Sequence, residues 1–217
     1  MSPAKGQSLS ISPLAKPTPS HDDNLRRFRH RQPLVEIGTR HRIRPLVQGD
    51  LDSLCSVYAT INALRLACPP SDPMTTAQSR WLFAQGVEYL QRKCGLEEAV
   101  TVGLYSRRRF ALARYLAAVA SSPRRKFAVE RASPDVRTIH EIFRWISDSI
   151  FDGTPILIPL MGGLDHLSVV SGTTDKLVLL FDSSGLSHIR KSSCGVGQGF
   201  HQISANGLMR MMVLSSY

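Results

Sequence analysis

Residues 48–64 read Gln48-Gly-Asp-Leu-Asp-Ser-Leu-Cys55-Ser-Val-Tyr-Ala-Thr-Ile-Asn-Ala-Leu64. A polar, turn-like lead gives way at Cys55 to apolar periodicity. Val57, Ile61, Leu64 and Cys68 fall at i, i+4, i+7 and i+11, which stacks them on one helical face. Asp52 or Ser53 is placed to cap the start, and Pro69-Pro70 ends the run. The stretch therefore predicts a helix that opens on a thiol.

Three more helices are expected downstream. Phe83, Val87, Leu90 and Cys94 repeat the spacing, with Gly95 as the stop. A third helix is expected over 108–120, with Phe110, Leu112, Ala113, Leu116, Ala117 and Ala120 on its apolar face. A fourth is expected over 135–150, with Val136, Ile139, Phe143, Ile146 and Ile150. The pattern then changes. Residues 155–161 form an apolar run rich in isoleucine and leucine that stops at Gly162-Gly163. Residues 167–171 and 177–181 read as strands around a turn at 172–176, and Ser183-Ser184-Gly185 closes the second. Residues 186–207 read as loop, and 208–214 as a last strand. The predicted class is α+β: a helical half carrying Cys55, then an antiparallel β half carrying His166 and Asp182, as two lobes of one domain.

Upstream, residues 1–24 are Ser/Pro-rich without apolar periodicity and are expected to be a disordered tail, with the domain over 25–217. Short apolar patches at 34–37 and 43–47 suggest an extended lead-in with a short strand.

The composition, with 42% apolar and 20% charged residues, fits a globular protein with a real core. No apolar run reaches the roughly 18 residues of a membrane span, and the N-terminus has no apolar signal core. Cys55, Cys68, Cys94 and Cys194 show no CxxC pair and no tight Cys/His spacing. Reduced thiols in a cytosol are expected, with no metal and no cofactor. Secretion by way of the tail stays open as an alternative. The formal net charge is +10, mostly from arginine. Arg26, Arg27, Arg29, Arg31, Arg40, Arg42 and Arg44 crowd one segment; Arg107-Arg108-Arg109 and Arg124-Arg125-Lys126 form two further runs. They read as basic surface that attracts acidic proteins, nucleic acid or anionic membranes without specificity. The Gly195-Val-Gly-Gln-Gly199 stretch follows no strand and opens no clear helix, so it reads as a loop and not a phosphate cradle.

The chemistry lies in three residues. A thiol attacks as thiolate, which a helix N-terminus and a nearby imidazolium both favour. Cys55 has the first by pattern. His166 opens a strand and is placed to supply the second. Asp50 and Asp52 oppose this if they face the sulfur. Asp182 closes the next strand, 16 residues after His166. Two antiparallel strands joined by a turn bring those ends together, so the carboxylate can orient the ring. Asp175 lies at the far, turn end, and Asp165 is expected on the opposite face. His140, His188 and His201 are rival bases without an equally placed acid. Gln48 offers an amide N–H to an oxyanion, beside the Cys55 backbone N–H.

Gln48, Cys55 with Ser-Val-Tyr-Ala-Thr-Ile-Asn-Ala, His166 with Leu-Ser-Val-Val-Ser-Gly, and Asp182 after Leu-Val-Leu-Leu-Phe together resemble the papain-like cysteine peptidase superfamily. The resemblance is to its compact bacterial branch, which includes peptidases that trim bacteriocin leaders. It covers about residues 46–185 and implies the papain-like two-lobed fold and amide or thioester chemistry through an acyl-enzyme. Three departures stand out. Gln48 precedes Cys55 by seven positions where six is usual, Leu167 stands where an aromatic residue often follows the His, and Asp52 occupies a place that shapes the oxyanion loop in ubiquitin-removing relatives. The expected function is a cysteine peptidase or amide hydrolase acting on a peptide or protein, with acidic substrates favoured by the charge. Acyl transfer is the neighbouring chemistry. An inactive papain-like module that binds an acidic protein or nucleic acid is the alternative.

Overall fold

The computed structural model describes residues 43–49 and 52–214. The expected tail at 1–24, most of the arginine-rich lead-in, the apolar patch at 34–37 and Asp50 lie outside the described residues.

Helix α1 spans Cys55–Ala67. The periodicity predicts one buried face, but burial runs almost all round it: Ser56, Ala59, Thr60, Asn62, Ala63 and Leu66 are buried along with Val57, Ile61 and Leu64. The reason is its position. It packs against α2 (Thr76–Lys93), α4 (Ser106–Ala120) and strand β3 (His166–Thr173). Small residues at 59, 60 and 63 let those neighbours approach. Burying each large side chain here contributes about 1.5–3 kcal/mol.

Neither expected cap closes α1. Its N-cap is Leu54, with no side-chain cap bond. Asp52 Oδ1 instead accepts from the Leu54 N–H at 2.9 Å, and Ser53 N–H bonds the Val100 carbonyl at 2.8 Å. The turn tightens one residue later than the sequence pattern suggests, so Asp52 holds the approach to the helix.

Helix α2 begins at a capping box in which Thr75 and Gln78 bond reciprocally. A short helix α3 (Leu96–Thr101), which was not expected, follows Gly95, whose φ of 79° suits a glycine. Helix α5 covers Ile139–Phe151, not 135–150. A second capping box, Thr138 with Glu141, starts it late. Its buried apolar stripe is Ile142, Ile146 and Ile150, so Val136 lies outside the helix and Phe143 is half-buried.

The antiparallel sheet follows the helices, with one strand set among them. That strand, β1 (Lys126–Arg131), pairs with β8 (Met209–Leu214), the last strand. The full order is β1-β8-β2-β3-β4-β5, with β2 Ile156–Gly162, β4 Leu177–Leu180 and β5 His188–Arg190. The supposed loop at 186–207 thus holds β5, two 3-10 turns, and the two-residue strands β6 (Cys194–Gly195) and β7 (His201–Gln202), which pair in parallel. The glycine stretch connects β6 to β7.

All eight β3 residues are buried because α1 and α5 both pack on this strand. Pro159 sits inside β2, where a proline removes a ladder donor. The strand tolerates it because β8 pairs with β2 only at Ile156 and Leu157, and β7 only at Met161 and Gly162. One continuous core joins helices and sheet. Among the described residues no helix is long and apolar enough to cross a membrane.

Candidate active site

The first residue of α1, the first of β3 and the residue two past β4 meet at one place. Cys55 is 6% exposed, His166 9% and Asp182 2%. His166 Nε2 lies 2.7 Å from Asp182 Oδ2. The thiol of Cys55 hydrogen-bonds the same imidazole. With Nε2 turned to the acid, Nδ1 is the nitrogen left for the sulfur. The β3–β4 ladder explains the approach. Val170 pairs with Leu180, and Phe181 N–H bonds the Val169 carbonyl at 2.8 Å, which carries Asp182 back towards the start of β3.

Asp182 is held from both sides. Its Oδ1 accepts from Ser184 N–H at 2.7 Å, Ser184 Oγ–H at 2.8 Å and Leu186 N–H at 3.3 Å. Ser184 Oγ is also 3.2 Å from His166 Nε2. By sequence pattern Ser184 is only part of the strand-closing turn. Asp-Ser-Ser, with a hydroxyl two residues after the acid, is the signal that was there to find.

Burial alone would raise the Cys55 thiol. The His166 hydrogen bond, the Leu167 backbone N–H and the charges of His166 and Arg109 outweigh it and lower the pKa below the ordinary thiol value. Burial likewise disfavours the imidazolium, yet hydrogen bonds to Asp182 and Cys55 and their charges push His166 up to about 9. Asp182, despite its burial, is held well below the usual carboxylate range by His166 and by the Ser168 and Ser184 side chains. The arrangement favours a thiolate–imidazolium pair. The other thiols differ: burial raises Cys68 and Cys94, and pushes Cys194 up to about 11.

Gln48 and Asp52 share the turn that leads into Cys55. The Gln48 side-chain N–H donates to the Asp52 carbonyl, leaving one amide hydrogen uncommitted, while Gln48 Oε1 is buried without a partner. Gln48 N–H also bonds the Ser183 carbonyl at 2.8 Å, which ties this turn to the Asp182 segment. Asp52 thus fixes Gln48 through its carbonyl and Leu54 through its carboxylate.

The rivals stand apart. His140 and Asp175 are exposed, and exposed His188 bonds its neighbour Ser187 at 2.9 Å. His201 is buried, but its Nδ1 has no partner and burial lowers its pKa. Asp165 is exposed in the β2–β3 turn with φ 45°, a left-handed conformation uncommon outside glycine. Among the described residues no group of His, Cys, Asp and Glu is arranged to hold a metal ion. Arg109 was read as basic surface, yet it is buried near Cys55. The signal lies in the spacing: Arg109 stands three and four residues before Leu112 and Ala113, on the apolar face of the same helix.

No family model, no curated protein and no solved structure matches the chain.

Proposed function

We propose that this protein is a papain-like thiol hydrolase, with peptide or isopeptide amides as its substrates. The observation that carries the reading is one imidazole shared between a thiol at a helix start and a buried carboxylate 2.7 Å away, with the thiol pKa lowered and the imidazole pKa raised. Structural ion pairs also shift pKa values, but they do not need a nucleophile on the other ring nitrogen. The antiparallel sheet packed against the Cys55 helix is compatible with the papain-like arrangement.

In this reading the Cys55 thiolate attacks the substrate carbonyl and forms a C–S bond. Negative charge moves to the carbonyl oxygen, where the Cys55 backbone N–H and the free Gln48 amide hydrogen stabilise it. As the C–N bond breaks, the His166 imidazolium gives its proton to the leaving amine. Water then attacks the thioester, His166 takes the water proton, and the acid product leaves with the thiolate restored. Asp182 holds the ring in register throughout, and Ser184 and Leu186 hold Asp182. An amine in place of water turns the same cycle into acyl transfer.

Labelling with iodoacetamide at neutral pH, read by mass spectrometry at each thiol, tests the proposal. Cys55 is expected to react much faster than Cys68, Cys94 or Cys194, and a Cys55→Ala variant is expected to fold but not turn over peptide-library substrates. Equal labelling of all four thiols would sink the mechanism and leave the non-catalytic binding module as the better reading.

A further inference from the structure

Arg109 is a buried cation whose hydrogen-bonding capacity is largely unused. It lies in the first turns of α4 and is 9% exposed. Its Nε has no hydrogen-bond partner. Its Nη1 points at the Met161 sulfur, 3.9 Å away, a weak acceptor. By contrast, Arg108 meets Glu98 at 2.7 Å and Arg125 meets Asp72 at 3.0 Å. Among the described residues no carboxylate lies within ion-pair distance of Arg109. A buried charge met only by more distant counter-charges, the Cys55 thiol and the exposed Asp165, is poorly compensated, which makes the guanidinium receptive to an anion.

Met161 follows Leu160, the register partner of His166, so Arg109 reaches the edge of the thiol–imidazole site. The next segment, 162–165, is exposed. The Cys55 thiolate partly balances the guanidinium in the resting protein. Acylation removes that balance, because a thioester sulfur is neutral while arginine stays charged. His166 gives up its proton in the same step, so the net charge of the site is unchanged, but its negative charge moves from the sulfur to Asp182 on the far side of the imidazole. A guanidinium edge receives a carboxylate through two parallel hydrogen bonds.

We propose that Arg109 is the anion-reading residue of this site, and that the substrate carries a carboxylate close to the carbonyl attacked by Cys55. This rests on the thiol hydrolase reading and adds to it the substrate's charge.

Alkylation by iodoacetate and iodoacetamide tests it without a known substrate. In both reagents the thiolate forms an S–C bond and iodide leaves; only iodoacetate brings a carboxylate. The ratio of the two rates at Cys55, iodoacetate over iodoacetamide, is compared with the same ratio for glutathione. A charge-assisted hydrogen bond contributes about 1.5–3 kcal/mol, so the Cys55 ratio is expected to exceed that of glutathione by roughly tenfold or more. Arg109→Gln is expected to abolish the excess, and Arg109→Lys to keep part of it. A wild-type ratio at or below that of glutathione overturns the inference, whatever the variants do. So does an Arg109→Gln variant in which both rates fall together and the ratio stays, because Arg109 then serves only the thiolate. Slow iodoacetamide labelling of Cys55 itself is a different failure: it overturns the hydrolase reading, and this inference with it.

Discussion

The Asn62 side chain grips Leu46 by both ends of its amide: Oδ1 accepts from the Leu46 N–H at 2.8 Å, and Nδ2 donates to the Leu46 carbonyl at 3.1 Å. Asn62 is fully buried in α1, and Leu46 stands two residues before Gln48. The clasp fixes the lead-in segment against the helix that opens on Cys55. Gln48 N–H then carries the connection to Ser183, next to Asp182. One asparagine therefore helps set the position of the candidate oxyanion donor relative to the nucleophile.

Asn62→Ala is expected to destabilise the protein and to slow turnover together. It leaves both polar groups of Leu46 without their partner, at about 1–3 kcal/mol for each that stays dry. At roughly 2–4 °C per kcal/mol for a chain of this size, the melting temperature is expected to fall by about 4 °C or more. An unchanged melting curve would show that water or another group replaces the clasp.

Activity is expected to follow a bell-shaped pH profile. The reactive form needs Cys55 deprotonated and His166 protonated. The lowered thiol pKa moves the acidic limb down from where an ordinary thiol would put it. The alkaline limb is expected near pH 9, where His166 loses its proton. Asp182→Asn removes the charge that favours the imidazolium, so the alkaline limb is expected to move to lower pH. An alkaline limb unmoved by that substitution would separate Asp182 from the titration of His166.

Gln48 and Asp52 are separable by rate. Gln48→Ala is expected to lower kcat by roughly 10²-fold if its free amide hydrogen meets the oxyanion. Asp52→Ala leaves the Asp52 carbonyl in the chain but releases the Leu54 N–H. If the turn geometry matters more than the Gln48 donor, Asp52→Ala is the more damaging substitution. Stopped turnover on one ester and one amide substrate gives the ranking.

Packing of α2 on α1 allows no extra carbon at Gly86. A Cβ there would lie 2.9 Å from Val57 Cγ1, a short and branched side chain with little room to yield. Alanine ordinarily favours a helix over glycine by about 1 kcal/mol. Here overpacking, at about 1–3 kcal/mol, is expected to win. Gly86→Ala should therefore lower the melting temperature, and a gain in stability would mean that the two helices separate readily.

Local sequence determined the parts that depend on neighbours in the chain. The α1 helix ending before Pro69, the Gly95 break and the β3–β4 hairpin all follow from periodicity and turn residues, and the hairpin alone sets His166 near Asp182. Boundaries failed where a side chain reached back to a backbone amide, as at the Thr138–Glu141 box that delays α5. Strand β1 was missed because its identity depends on β8, some eighty residues away in sequence. Only tertiary structure decided that α1 is covered nearly all round and that Asn62 clasps the lead-in segment against it. Each of these depends on what packs opposite a residue, and periodicity in one segment carries no record of its distant partner.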